Sequence, residues 1–155
     1  MRSIVLATKT PLHLVPPSGG GRTRKPLRIL IADDDRDTAT MLALVLRDEG
    51  NEVQVVLRGD EALEVGRLFR PDVLIADINM PGESGYAIAR ELRQRHGSLA
   101  PLMIAISGVW TKASDRSLGQ AVGFDHYLVK PADPKEVIAL IEALRGRAAE
   151  NPRAS

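Results

Sequence analysis

From Leu27 onward, short apolar runs alternate with longer stretches whose apolar positions recur every three or four residues. The runs lie at 28–32, 53–57, 73–76, 102–106 and 127–129. Each is too short for a helix and favours aliphatic, often β-branched residues, which suits strands covered on both faces. Between them, Ala39, Leu42, Val45 and Leu46 share one face of a helix predicted near 36–49. Gly85, Ile88, Ala89 and Leu92 do the same near 84–95, as do Val137, Ile138, Ile141 and Leu144 near 134–145. Two weaker helices are expected at 59–69, with Ala62 and Phe69 inward, and at 111–121, with Ala113, Leu118, Ala121 and Val122 inward. Five strands and five helices in strict alternation imply an α/β fold. Its right-handed crossovers build a parallel sheet with helices on both faces.

Residues 1–26 follow neither period. Pro11, Pro16, Pro17, Gly19, Gly20, Gly21 and Pro26 punctuate them, which predicts a flexible extension. The three glycines do not form a phosphate loop, because no Gly-Lys-Ser/Thr follows them. The last helix is expected to end near Arg145. The chain thus divides into a flexible basic extension at 1–26, a domain at 27–146 and a polar tail at 147–155.

Composition narrows the chemistry. The absence of cysteine excludes disulfides and thiolate catalysis or metal binding. With aromatics at 3%, Val, Ile, Leu and Ala must fill the core. No apolar run approaches the roughly 18 residues of a membrane span. The apolar stretch at 4–7 lacks the longer core and cleavage site of a secretory signal, so a cytoplasmic location is expected. Charge is uneven. Residues 1–27 hold five of the 21 basic residues and no acid, leaving 16 basic against 20 acidic beyond them. A short basic leader of this kind is expected to be a solubilising segment rather than a nucleic-acid arm.

In open α/β sheets, ligands bind outside the carboxyl ends of the strands. Asp33, Asp34 and Asp35 follow the first predicted strand, Asp77 the third, Ser107 the fourth and Lys130 the fifth; only Arg58 and Gly59 follow the second. Clustered carboxylates need a cation to stay ionised together, and oxygen ligands favour a hard ion such as Mg²⁺. A hydroxyl and an ammonium facing them suit a phosphoryl group. A carboxylate can be the nucleophile in its transfer, and Asp77, on the middle strand, is placed for that role. Singly, each residue has an ordinary explanation. Asp35 is better placed as the N-cap of the first helix, and Asp34 is as apt to be a cap as a ligand. Ser107 and Lys130 would alone be unremarkable turn residues. His13, His96 and His126 lack ligand spacing and are expected in packing or solvent roles.

Three segments carry a resemblance: ILIADDD at 29–35, PDVLIADINMPG at 71–82 and YLVKP at 127–131. In order and spacing they resemble the response-regulator receiver domain of two-component signalling, over about residues 27–145. That resemblance implies a flavodoxin-like sheet of order 2-1-3-4-5. Asp77 would be the phosphorylated residue, served by a phosphohistidine on a histidine kinase or histidine phosphotransfer protein. Asp34 and Asp77 would ligate Mg²⁺ directly, Asp33 through water, and Asn79 through its backbone carbonyl. Lys130 would pair with Asp77 and then with phosphoryl oxygens. Ser107 would move to hydrogen-bond the phosphoryl group, and Tyr127 would change rotamer in response. A cis peptide is expected before Pro131. Ser107 stands where many members have threonine, and Trp110 departs from the usual pattern. Val109, beside the site by this resemblance, offers no polar group to position water, which implies slow self-dephosphorylation.

The implied role is a phosphoryl acceptor, not an enzyme. It would switch a protein-binding face for an effector that the sequence does not name. No helix-turn-helix follows Arg145, so no DNA-binding domain is expected, and no membrane association. Two rivals remain. Haloacid-dehalogenase-type phosphatases also place an aspartate after a strand, but need a carboxylate two positions on, where this chain has Asn79. A non-phosphorylated module of the same fold would be expected to lose an acid, the nucleophile or the lysine.

Overall fold

The computed structural model describes residues 24–108 and 123–150, the last three by their backbone alone. In chain order the elements are β1 (Arg28–Ala32), α1 (Arg36–Asp48), β2 (Glu52–Val56), α2 (Gly59–Phe69) and β3 (Val73–Asp77). Then come α3 (Gly85–His96), a 3₁₀ turn (Gly97–Leu99), β4 (Leu102–Ser107), β5 (His126–Val129) and α4 (Pro134–Glu150). All strand pairs are parallel, in the order β2-β1-β3-β4-β5. This is the predicted flavodoxin-like sheet.

Alternation along the strands explains why the central runs are apolar throughout. Ile29, Ile31, Val73, Ile75 and Ile104 face one way and pack with α1 and α4, through Leu42, Leu46, Val137 and Ile141. Leu30, Leu74, Ala76, Met103 and Ala105 face the other way and pack with α2 and α3, through Ala62, Phe69, Ile88 and Leu92. Each face needs its own apolar set, so β3 and β4 contain no exposed position.

The helix ends follow local chemistry. Asp35 caps α1, its carboxylate accepting from the Thr38 amide and, at 2.6 Å, from the Thr38 hydroxyl. Ser84 caps α3 by accepting from the Ala87 amide at 3.2 Å.

Several boundaries differ from expectation. β2 lies one residue earlier than predicted, because the Glu52 amide donates to the Leu27 carbonyl at 2.9 Å and starts the ladder there. β5 likewise begins at His126. In α1 it is Ala43 that is fully buried, and Val45 is only half-buried at the edge of that face. α4 continues to Glu150 instead of ending near Arg145. One interior glycine costs a helix only about 1 kcal/mol, and the Arg, Ala, Ala and Glu after Gly146 are good helix formers, so the tail expected from residue 147 begins inside this helix. The expected 1–26 extension up to residue 23, Val109, Trp110 and the helix at 111–121 lie outside the described residues. Among the described residues, no helix is long and apolar enough to cross a membrane.

Ile104 is fully buried in β4, between both neighbouring strands. Truncation to alanine is expected to cost about 3 kcal/mol, and Ile104→Val about 1 kcal/mol. Urea denaturation of the two variants would check both; equal, negligible losses would show that β4 is not central to the core.

Candidate functional site

A parallel sheet gathers the carboxyl ends of its strands along one edge. Asp33 is the first residue beyond β1, Asp77 the last of β3, Ser107 the last of β4, and Lys130 the first beyond β5. Register sets Asp77 beside Ile106 and Ser107 beside Val129, so the four side chains come from adjacent strand ends. Asp33, Asp77 and Ser107 are buried, with exposures of 4, 7 and 2%.

One ammonium joins the two buried acids. Lys130 Nζ donates to Asp33 Oδ1 at 3.0 Å and to Asp77 Oδ2 at 2.9 Å. The backbone supplies the remaining donors. The Asp35 amide donates to Asp33 Oδ1 at 2.9 Å, and the Asn79 amide donates to Asp77 Oδ1 at 3.0 Å. Lys130 is itself placed by its amide, which donates to the Ser107 carbonyl at 2.9 Å. Its peptide bond to Pro131 is cis, as expected.

Electrostatics leave this arrangement short of positive charge. Burial raises the Asp33 carboxyl above its ordinary value, despite the Asp35 amide and Lys130, which pull it down. For Lys130, burial alone would favour the neutral amine. Its hydrogen bonds to Asp77 and Asp33 outweigh that and raise its pKa, so it stays an ammonium. Carboxylate oxygens of Asp33, Asp34 and Asp77 all lie within 4.8 Å of one another. Three acids against one ammonium, with Asp34 open to solvent, form a donor set that fits a hard divalent cation.

Not every expected residue joins the cluster. Asp35 is committed to its cap on α1, as expected from its position. Asn79 is exposed, and its contribution is the amide bond to Asp77. Tyr127 is half-buried on β5 and meets Phe124 edge-to-face, with centroids 6.0 Å apart. Phe124 meets Tyr86 of α3 in the same way at 6.3 Å. Burial, then Tyr86 and Asp125, push the Tyr127 phenol from 10.0 to about 12. His96 and His126 are in neither this cluster nor another metal-like group among the described residues.

Sequence reasoning set Gly85 on the inward face of its helix and Gly59 after the second strand, but missed that both must be glycine to seat the site. A Cβ at Gly85 would come within 2.6 Å of the Asp77 carbonyl oxygen, so only glycine lets α3 start flush against the end of β3. A Cβ at Gly59 would fall 1.7 Å from the Glu83 carbonyl oxygen, which locks α2 against the loop after Asp77. The tertiary contact at Gly59 left no local mark.

Residues 29–142 match the model of the response regulator receiver domain. The chain belongs to that family. Over 125 residues it is 38% identical to the DNA-binding response regulator MtrA of Mycolicibacterium paratuberculosis, covering 81% of this chain and 54% of that protein. The chain therefore spans about half the length of the curated relatives it matches. The match gives no ground for excluding DNA binding from the protein's role. Among solved structures, the chemotaxis response regulator CheY4 of Vibrio cholerae superposes with a TM-score of 0.70 at 28% identity, covering 77% of this chain and 98% of that one. A Francisella response-regulator receiver domain does so with a TM-score of 0.71 at 27% identity, covering 79% and 98%. The fold and the two-component signalling class expected from the three segments are thus both correct.

Two outcomes follow from the charge balance and the aromatic row. Asp33→Asn keeps an acceptor for the Asp35 amide but removes one buried charge. Without divalent metal it should raise the thermal midpoint, and it should weaken Mg²⁺ binding about tenfold or more; unchanged Mg²⁺ affinity by calorimetry would count against Asp33 as a ligand. The Tyr127 value is raised on folding, so its stabilisation is complete below pH 10.0 and is lost as pH rises toward about 12. In a Tyr86→Phe variant, ultraviolet titration should find the remaining phenol still protonated at about pH 11; half-ionisation near its ordinary value would contradict the burial described.

Proposed function

We propose that Asp77 accepts a phosphoryl group from a phosphohistidine of a histidine kinase or histidine phosphotransfer protein, and that the acylphosphate switches a protein-binding face. The observation that carries this is the buried Asp77 carboxylate, held 2.9 Å from Lys130 and grouped with Asp33 and Asp34 at the carboxyl edge of the sheet. In the transfer, an Asp77 oxygen forms the P–O bond as the P–N bond to imidazole breaks, and the departing imidazole takes up a proton. Asp33, Asp34 and Asp77 would hold Mg²⁺, with the Asn79 carbonyl as a further ligand. When bound, Mg²⁺ supplies neutralisation of the phosphoryl oxygens.

The chain's own groups do the rest. Asn79 and Lys130 orient the Asp77 carboxylate before transfer. Afterwards, Lys130 answers the new oxygens as an ammonium, and the Ser107 hydroxyl donates a hydrogen bond to one of them. Transfer brings almost one further negative charge and three acceptors into a pocket already short of cations. Ser107 is drawn toward it, Tyr127 shifts against Phe124, and the surface around β5 changes. An effector that recognises only this form completes the signal. Asn79 stands where a phosphatase would need a carboxylate acid/base, so this is an acceptor rather than a turnover enzyme, and Val109, with no polar group to position water, implies slow self-dephosphorylation. The reading places the protein in the cytoplasm with its kinase.

Incubation with Mg²⁺ and a small acyl phosphate should add one base-labile phosphoryl group to the intact mass of the wild type and none to Asp77→Asn. Equal gain by both proteins would move the acceptor elsewhere. No gain from any donor, including a phosphorylated histidine kinase, would leave an interaction module without phosphoryl chemistry.

A further inference from the structure

The opposite end of the sheet holds a cavity. It has a volume of about 380 Å³ and lies between the last turns of α2 and α3, beneath the starts of β1, β3 and β4. A volume of this size is in the range of small-molecule sites, roughly 300–1,000 Å³. Three nitrogen-bearing side chains line it: Arg28, Arg70 and His96.

Two features separate this cavity from an ordinary surface cleft. The first is unspent charge. Among the described residues, Arg24, Arg58, Arg67, Arg93, Arg95 and Arg145 have carboxylate partners, whereas Arg36, Arg47, Arg90 and Arg147 have none and none of these four lines the cavity. Arg28 and Arg70 have none, although Asp72 lines the same cavity. The Asp72 carboxylate instead accepts from the Arg28 amide at 2.8 Å. The Arg28 guanidinium lies 6.0 Å from the Phe69 ring centroid, extended over its face. The second feature is strain. Arg70 closes α2 in the left-handed conformation, at φ 51° and ψ 67°, where glycine is the easier residue. A cation is thereby kept at a place where a side chain is disfavoured.

The remaining lining is apolar. Leu92 and Pro101 are buried, and Leu99 stands 77% exposed at the rim. An exposed leucine beside two unpaired guanidiniums matches a ligand with an apolar body and an anionic head. Planar guanidinium forks recognise carboxylate and phosphate oxygens in pairs.

We propose that this cavity binds a small organic anion, a carboxylate or phosphate ester on an apolar body, its charged head between Arg28 and Arg70 and its body against Leu92, Leu99 and Pro101. The site lies at the far end of the sheet from Asp77 and does not depend on phosphoryl transfer.

The test uses phenyl phosphate and benzoate as probes, with inorganic phosphate as the control that lacks the apolar body and benzyl alcohol as the control that lacks the anionic head, all without Mg²⁺. Thermal unfolding and amide chemical shifts of the full chain are the readouts. At least one aromatic anion should raise the midpoint saturably, by about 2–4 °C, and should shift the amides of Asp72, His96 and Leu99. The stronger of the two identifies the head group. Both controls should do less, and R28Q/R70Q should weaken binding at least about tenfold. Both arginines are exposed, so the double variant should fold, and the wild-type amide shifts locate the site without it. Shifts confined to Asp33, Asp77 and Lys130, an equal effect of benzyl alcohol, or undiminished binding by the double variant would each overturn the proposal, as would no saturable binding.

Discussion

Two buried carboxylates share one ammonium, and the architecture of this domain follows from what that requires. Two carboxylates this close in a buried pocket repel each other, so positive charge and oriented dipoles must reach them from several directions. Lys130 supplies one charge to both, and the amides of Asp35 and Asn79 supply the nearest dipoles. These donors come from beyond β1, β3 and β5, three strands remote in sequence. Only a parallel sheet, with every carboxyl end on one edge, brings them together without long loops. The pocket still carries more acid than base. That residual imbalance leaves a donor set that fits a divalent cation.

β1, β3 and β4 were legible because they are buried on both faces, and an unbroken apolar run is a strong signal. The site was legible for a related reason: polar residues that end such runs, as Asp33, Asp77 and Lys130 do, stand out against them. Boundaries set by single hydrogen bonds, such as the start of β2 at Glu52, were not. α4 passes through Gly146 because one weak position does not terminate a helix whose next residues favour it. The need for glycine at positions 59 and 85 was also silent. Their role depends on backbone from Glu83 and Asp77 pressing on them, and no local pattern encodes that contact.

The aromatic row shows how a chain with few rings uses them. Aliphatic side chains fill both layers of the core, and among the described residues the ring–ring contacts run through Phe124 alone. Phe124 is buried and meets Tyr86 on one side and Tyr127 on the other. The segment just before β5 is fixed independently: Arg93 donates to the Gly123 carbonyl at 2.6 Å and lies 3.6 Å from Asp125. Tyr127 therefore has one stationary neighbour and one end of its strand tied, through Lys130, to the acids. Under the proposed function, a change in what Lys130 binds has only three residues to cross before it reaches this ring.

The two ends of the sheet differ in charge, and the topology gives a reason. Each helix in a parallel α/β unit runs against its strands, so helix N-termini gather at the carboxyl edge and C-termini at the amino edge. α1 and α3 begin beside Asp33 and Asp77, and their positive ends lessen the repulsion among the acids by about 0.3–1 kcal/mol each. α2 and α3 end beside the opposite cavity, and their negative ends favour the cations found there, Arg70 and Arg95. Acid at one edge and base at the other are thus both cheaper than the reverse arrangement. The dipoles do not explain why Arg28 and Arg70 lack partners, since Arg95 at the same helix end is paired with Glu91. The field permits cations at that edge, and leaving two of them unpaired over one cavity is a separate property of this sequence.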